Sequence, residues 1–193
     1  MKLGEFFFKY RSYTPIPFIL PLLLFARPTE ITLISGFVLV IIGEFMRIWG
    51  VSYAGGETRT RKAGASNLIT QGPFAYLRNP LYFGNIVIYL GIAIMANTFF
   101  PFMIIFVFIF SCFQYYYIIV DTEEPKLKEL FKNSYDDYCS SVKRFLPGAA
   151  YDISKQSKVK FDIRAGWKSE KRTFQSMFTM VLMVVLIYIL THQ

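Results

Sequence analysis

Histidine is almost missing from this 193-residue sequence, and the single one, His192, lies next to the C-terminus. That scarcity argues against zinc or iron held by imidazoles, and against a nucleophile activated by a histidine base. Cysteine is nearly as rare. Cys112 sits in an apolar run and Cys139 in a polar one, a pair that offers neither a disulfide framework nor a metal-ligand spacing. Acids are also in deficit, 13 Asp and Glu against 21 Lys and Arg. A net charge of +8 on a soluble basic module would suggest nucleic acid, but no such module is present, so no nucleic-acid partner is expected. The first apolar run lacks a small-x-small cleavage site, continuing instead as Ala26-Arg27-Pro28, so it reads as retained and not as a signal peptide.

What the sequence has in excess is apolar surface: 54% of the residues are hydrophobic and 19% aromatic, above the usual soluble composition. Crossing the hydrocarbon core as helix takes about 20 such residues. Ile31 to Gly50 is one stretch of this kind, interrupted by Glu44 and Arg47, and Phe99 to Val120 is the cleanest. Leu81 to Asn97 and Phe174 to Leu190 are shorter but adequate with snorkelling ends. Pro15 to Phe25 carries Pro15, Pro17 and Pro21; it either extends backwards through Tyr10 and Tyr13 or forms a kinked, shallow segment. The expected fold class is therefore all-α, a single polytopic membrane domain over residues 1–193 with about five transmembrane helices.

Short connections at Ala26 to Glu30 and Ala96 to Pro101 pair spans one with two and three with four. Basic residues avoid these connections, apart from Arg27. They gather instead in the N-terminus, in 51–79 (Arg59, Arg61, Lys62, Arg78) and in 121–173. The positive-inside rule places those regions, and the N-terminus, in the cytoplasm. Asp121 to Pro147 reads as an amphipathic helix, with Leu127, Leu130, Phe131, Tyr135, Tyr138 and Val142 at helical spacing and Pro147-Gly148 as its stop. Residues 148–173 form a basic cytoplasmic segment ahead of the last span.

Three constellations interrupt the apolar background. Glu44 and Arg47 are three apart and share a helix face, where ionisable groups within a span face a cavity or a partner; an internal ion pair accounts for them equally well. Arg78 precedes Pro80 at the start of span three, where proline suits the first helical turn; a grip on lipid phosphate is the plainer role. Glu123-Glu124 precedes Pro125, where helix-start acids are favoured by the dipole and where paired carboxylates could also receive a cation or ribose hydroxyls. Arg78, Tyr82, Glu123 and Glu124 thus fall at one depth, at facing ends of neighbouring spans.

The ordered motifs resemble those of the isoprenylcysteine carboxyl methyltransferase and phospholipid methyltransferase superfamily. Its Leu-Val-x-x-Gly-x-aromatic stretch leading into Arg-His-Pro-x-Tyr is similar to Leu68-Ile69-Thr70-Gln71-Gly72-Pro73-Phe74 and Arg78-Asn79-Pro80-Leu81-Tyr82. Its Glu-Glu-x-x-Leu, aromatic helix and Arg-Phe-x-Pro are matched by Glu123-Glu124-Pro125-Lys126-Leu127, by Phe131, Asn133, Tyr135 and Tyr138, and by Arg144-Phe145-Leu146-Pro147. Gly43 to Trp49 is similar to its Gly-x-x-x-Arg-x-Trp helix. The resemblance covers roughly Gly36 to Pro147. Asn79 and Ser66 stand where the family has histidine, and Asn133, which tolerates a left-handed backbone, replaces a glycine.

The resemblance implies a cytoplasmic pocket for S-adenosylmethionine. Leu68 and Ile69 would meet the adenine through backbone groups, and Arg78 and Tyr82 would lie beside the cofactor. Glu123 and Glu124 would take its ribose or ammonium, with Gly72, Asn79, Pro80 and Tyr138 completing the binding set. Arg78, Glu124, Glu44 and Arg47 are the candidate catalytic residues, and no metal is required. The acceptor implied is a lipid, prenylated or lipid-like, entering from the bilayer and offering a carboxylate or an amine. The alternatives are an NADPH-dependent membrane reductase related to sterol reductases, and a non-catalytic membrane protein of this fold.

Overall fold

The computed structural model describes residues 2–55, 67–156 and 159–192. Ser66 and the loop cations Arg59, Arg61 and Lys62 lie outside these residues. Seven α-helices and no strand form among the described residues: α1 (Leu3–Tyr10), α2 (Ile16–Leu24), α3 (Glu30–Ala54), α4 (Pro80–Ala96), α5 (Phe102–Ile118), α6 (Glu124–Ser141) and α7 (Ile163–Thr191). Helix α3, the run from α5 through α6, and α7 are long and apolar enough to cross a membrane, while α4 is a shorter apolar helix of 17 residues.

The expected first span is two pieces. Helix α2 has nine residues and an internal Pro21, so at 1.5 Å per residue it covers only about 14 Å of a core about 30 Å thick. Together α1 and α2 run antiparallel to α5 along its whole length. Gly4 N donates to Asp121 Oδ2 at 3.1 Å, Phe7 meets Phe110 and Phe113, Phe18 meets Phe106, and Phe25 meets Phe99. The chain thus continues backwards as helix as far as Tyr10, but Tyr13 falls in a break from regular helix at residues 11–15.

The closest packing joins α3 to α4, across the long connection and not within either short hairpin. Gly36 faces Gly91 and Gly43 faces Gly84; a Cβ on Gly36 would lie 2.4 Å from Gly91 O, and one on Gly43 2.7 Å from Gly84 O. Two reciprocal pairs seven residues apart fix an antiparallel register, and small residues let the backbones touch. Helix α7 flanks α3, α5 flanks α4, and α1 lies on α5. Backbone neighbours of α2 are α4 and α7, so the tight link to α3 does not make a packed hairpin. Arg27 N donates to Ala96 O at 2.9 Å and Thr98 Oγ1 to Leu22 O at 2.6 Å, tying both short connections together at one end of the bundle. Ile31, Ile34, Phe45, Phe102, Ile109 and Phe178 point outward and are exposed, the pattern of side chains that lipid covers.

At the opposite end α5 passes through a π-helical turn, Ile119–Glu123, into α6. Helix α6 stops at Ser141 because Val142 turns extended, short of Pro147-Gly148. Within it Lys132 has φ +46°, so the left-handed position expected at Asn133 falls one residue earlier. After α6 the chain lies across the 67–80 segment. Gly148 N donates to Tyr76 O (3.1 Å), Tyr151 N to Ala75 O (2.8 Å), and Val159 N to Gln71 Oε1 (2.9 Å). Asp162 N then reaches Ser52 O at 2.9 Å, and α7 begins at Ile163, so part of the basic segment is already the first turns of the last helix.

Candidate functional site

Pro80 opens α4, and Asn79 before it holds an extended-like φ of −125° without capping the helix through its side chain. The Asn79 amide donates instead to Arg144 O at 3.1 Å, and Arg78 N donates to Lys143 O at 3.0 Å. The stretch before α4 is thereby sewn to the stretch after α6. This pairing brings Arg78, Glu124 and Arg144 together. Arg144 grips Glu124 with both ends of its fork, Nε to Oε1 at 2.9 Å and Nη2 to Oε2 at 2.7 Å. Arg78 Nη1 lies 3.2 Å from Glu124 Oε1 and 2.7 Å from Cys139 Sγ. Bidentate, charge-assisted pairs of this kind are the strong ones, and the hydrogen bonds from Arg144 to Glu124 raise the arginine's pKa above its ordinary value. Arg78 and Glu124 are only 13% and 16% exposed, so screening by solvent is limited.

The π-helical turn ends at Glu123, which faces Tyr82 of α4. Tyr82 OH donates to Glu123 Oε1 at 2.6 Å, and the Tyr82 ring lies against Tyr115 with centroids 4.6 Å apart. Glu123 also feels the charge of Arg11, from the break between α1 and α2. Two polar atoms here are buried without a hydrogen-bond partner, Arg78 Nε and Thr122 Oγ1.

The 67–80 segment forms the outer wall. Gly72 has φ +59°, and the Tyr53 ring packs so close that a Cβ would meet it at 2.2 Å, so only glycine fits. Tyr138 is buried, with its hydroxyl donating to Phe74 O at 2.6 Å and its ring set edge-on to Tyr151. Leu68 is half-buried against the same tyrosine cluster, and Ile69 is half-buried nearby. The expected residues Leu68, Gly72, Arg78, Asn79, Pro80, Tyr82, Glu123, Glu124 and Tyr138 thus share one end of the bundle.

Glu44 and Arg47 do not join them. They form a separate buried network between α3, α4 and α7. Arg47 Nη2 meets Glu170 Oε2 at 2.6 Å and Thr173 Oγ1 at 3.5 Å, Arg47 Nη1 donates to Asn85 Oδ1, and Glu44 Oε2 lies 3.9 Å from Arg47 Nε. Tyr115 bridges the two groups: it interacts electrostatically with Arg47 and stacks on Tyr82. Sequence reasoning missed Glu170, Asn85, Cys139 and Tyr115 altogether, and had Arg144 only as a motif position. A signal for Glu170 was present, since it is an acid in a basic stretch (Lys168, Lys171, Arg172), four residues before the apolar run at Phe174. Among the described residues no group of three or more His, Cys, Asp and Glu could hold a metal ion.

Comparison with known proteins gives one family. Residues 31–134, just over half of the sequence, match the model of the phospholipid methyltransferase family. No curated protein matches. No solved structure matches. The matched region runs from the first turn of α3 through α4 and α5 into α6, and so contains Arg47, Arg78, Tyr82, Glu123 and Glu124 but stops short of Arg144 and Glu170. The described residues include three helices long and apolar enough to cross a membrane and carry this match over their central bundle, and the chain belongs to the phospholipid methyltransferase family.

Proposed function

We propose that the protein transfers a methyl group from S-adenosylmethionine to a lipid or lipid-like acceptor, an amine or a carboxylate, at the cytoplasmic membrane face. The observation that carries this reading is Glu124, a largely buried carboxylate held between Arg78 and Arg144 within the family match. The residues present fit the cofactor. Arg78 keeps a buried Nε and Thr122 a buried hydroxyl with no hydrogen bond made, two carboxylates stand beside them, and tyrosine rings line the same end. When bound, S-adenosylmethionine supplies a methyl group activated on a sulfonium.

Each residue then has a task set by its chemistry. Glu123 and Glu124 would hold ribose hydroxyls or the ammonium. Arg78 would hold the amino-acid carboxylate through its planar fork, the rings of Tyr82 and Tyr138 suit a cationic neighbour, and Leu68 and Ile69 would present backbone groups to adenine. Methyl transfer is an in-line displacement, so orientation dominates, and the double grip on Glu124 supplies a rigid reference. A carboxylate acceptor needs no base; an amine acceptor would give its proton to Glu124. Outward apolar faces on α3, α5 and α7 support an acceptor that arrives sideways from the bilayer.

The test is calorimetric titration of the detergent-purified protein with S-adenosylhomocysteine and, separately, NADPH. Binding of the first alone is expected, and Glu124→Gln should weaken it by at least tenfold, or about 1.4 kcal/mol, in a variant whose helical content is unchanged. Binding of NADPH alone, or of neither ligand, would sink the proposal. Labelled cofactor with a lipid extract then identifies the acceptor by its methylated product.

A further inference from the structure

The first turns of α7 carry a feature that the candidate site does not use. Ile163 and Trp167 are 55% and 59% exposed, and with Arg164 and Lys168 they line an open shelf. A spacing of four sets Ile163 above Trp167 and Arg164 above Lys168, as neighbours on one helix face. The two acids of this stretch are engaged elsewhere. Asp162 accepts from Arg164 N and Ala165 N, which also satisfies the helix start, and Glu170 pairs with Arg47. No ion pair among the described residues engages Arg164 or Lys168, so the shelf presents apolar surface beside two cations that no carboxylate pairs with.

The position of the shelf selects its occupant. Trp167 lies seven residues, about 10 Å of helix, before Phe174, where the apolar run of α7 begins, and the two rings pack with centroids 4.5 Å apart. Tryptophan and basic residues at that depth are features of the head-group region. The inner side of the same turns is pinned to the bundle. Gly166 packs so closely on α3 that a Cβ would meet Ser52 Oγ at 2.3 Å, and Glu170 is buried, so the shelf cannot rotate inward.

We propose that Ile163, Arg164, Trp167 and Lys168 form a binding site for an anionic phospholipid of the surrounding bilayer. Arg164 and Lys168 take the phosphate-bearing head group, and Ile163 and Trp167 pack on the glycerol and upper acyl chains. A zwitterionic head group would bring its ammonium into a field of cations, so the site selects net negative charge. The inference requires α7 to cross the membrane and is independent of methyl transfer.

The sequence has two tryptophans, so Trp49→Phe leaves Trp167 as the sole reporter. Its fluorescence is measured in mixed micelles with brominated phosphatidylglycerol or brominated phosphatidylcholine. Half-maximal quenching is expected at a mole fraction at least about fivefold lower for the anionic lipid. Arg164→Gln with Lys168→Gln, both exposed changes, should bring the two lipids together, as should salt near about 0.5 M, with far-UV helicity unchanged. Millimolar inorganic phosphate should leave the quenching unaltered. Equal quenching by the two lipids, a preference that survives the double substitution, or displacement by inorganic phosphate would each overturn the proposal.

Discussion

Inside α6, Lys132 holds φ +46° and ψ −122°, where an L side chain crowds its own backbone. Its ammonium side chain is exposed, so nothing in the packing requires lysine there. Lys132→Gly should therefore raise the thermal stability by about 1 kcal/mol, the relief of strain outweighing the entropy that glycine adds to the unfolded chain. Lys132→Ala keeps a Cβ and should change little; equal effects from both would refute strain as the cause. The sequence anticipated a left-handed residue at Asn133, one position off, because propensity marks which side chain tolerates the conformation and not where the chain needs it. The same limit operates at the site. Arg78, Tyr82, Glu123 and Glu124 were legible as a group because short motifs and span ends set their depth. Cys139 and Asn85 were not, since their contacts depend on how α4 and α6 are rotated, which no local period encodes.

At the scale of elements, the α3 and α4 contact rests on backbone touching backbone. Gly43→Ala would drive a Cβ to 2.7 Å from Gly84 O and 2.7 Å from Ile88 Cγ1, and separating two main chains is costlier than moving a flexible side chain. A loss of about 3 kcal/mol is expected in detergent, whereas Gly148→Ala, with open space around it, should be neutral. The spans themselves were readable from hydropathy, yet the glycine register was not, because four glycines in apolar runs gain meaning only when paired. The strap over the 67–80 segment makes a pH prediction. Tyr151 OH donates to Asp137 Oδ2 at 2.7 Å and Lys155 Nζ lies 3.1 Å from Oδ1. The Tyr151 hydrogen bond, followed by Lys155, lowers the Asp137 pKa, so this contribution is present above an ordinary carboxylate pKa of about 3.9 and is lost as pH falls. Burial, then Asp137, raises Tyr151 to about 12, so its contribution is complete below about pH 10 and fades as pH rises through 12. Amide exchange at Tyr151, corrected for the intrinsic rate, should be best protected between those limits. Asp137→Asn should lower the protection at pH 7 and flatten its acid limb; an unchanged profile would show that the clamp does not hold the strap.

For the whole molecule the decisive contact joins the region outside the family match to the region within it. The last helix was legible as a span from Phe174 onward, but not as part of the central bundle, because its buried ion pair joins residues 123 positions apart in sequence. Glu170 is 1% exposed and reaches Arg47, itself fixed by Asn85 and close to Glu44. A guanidinium inside apolar helices needs an ionic partner, and Glu170 supplies it from α7, so α7 completes the electrostatics of α3. Removing one partner of a buried pair leaves the other charge stranded, at a cost of about 3 kcal/mol. Glu170→Gln and Arg47→Gln should each lower the unfolding temperature in detergent, and the two together should cost clearly less than their sum. The cycle isolates the pair: a coupling of about 2 kcal/mol or more is expected. Additive losses would mean that α7 is held by its apolar face alone and that Glu170 merely accompanies it; the expected coupling would make the helix beyond residue 134 a structural requirement of the core that the family match covers.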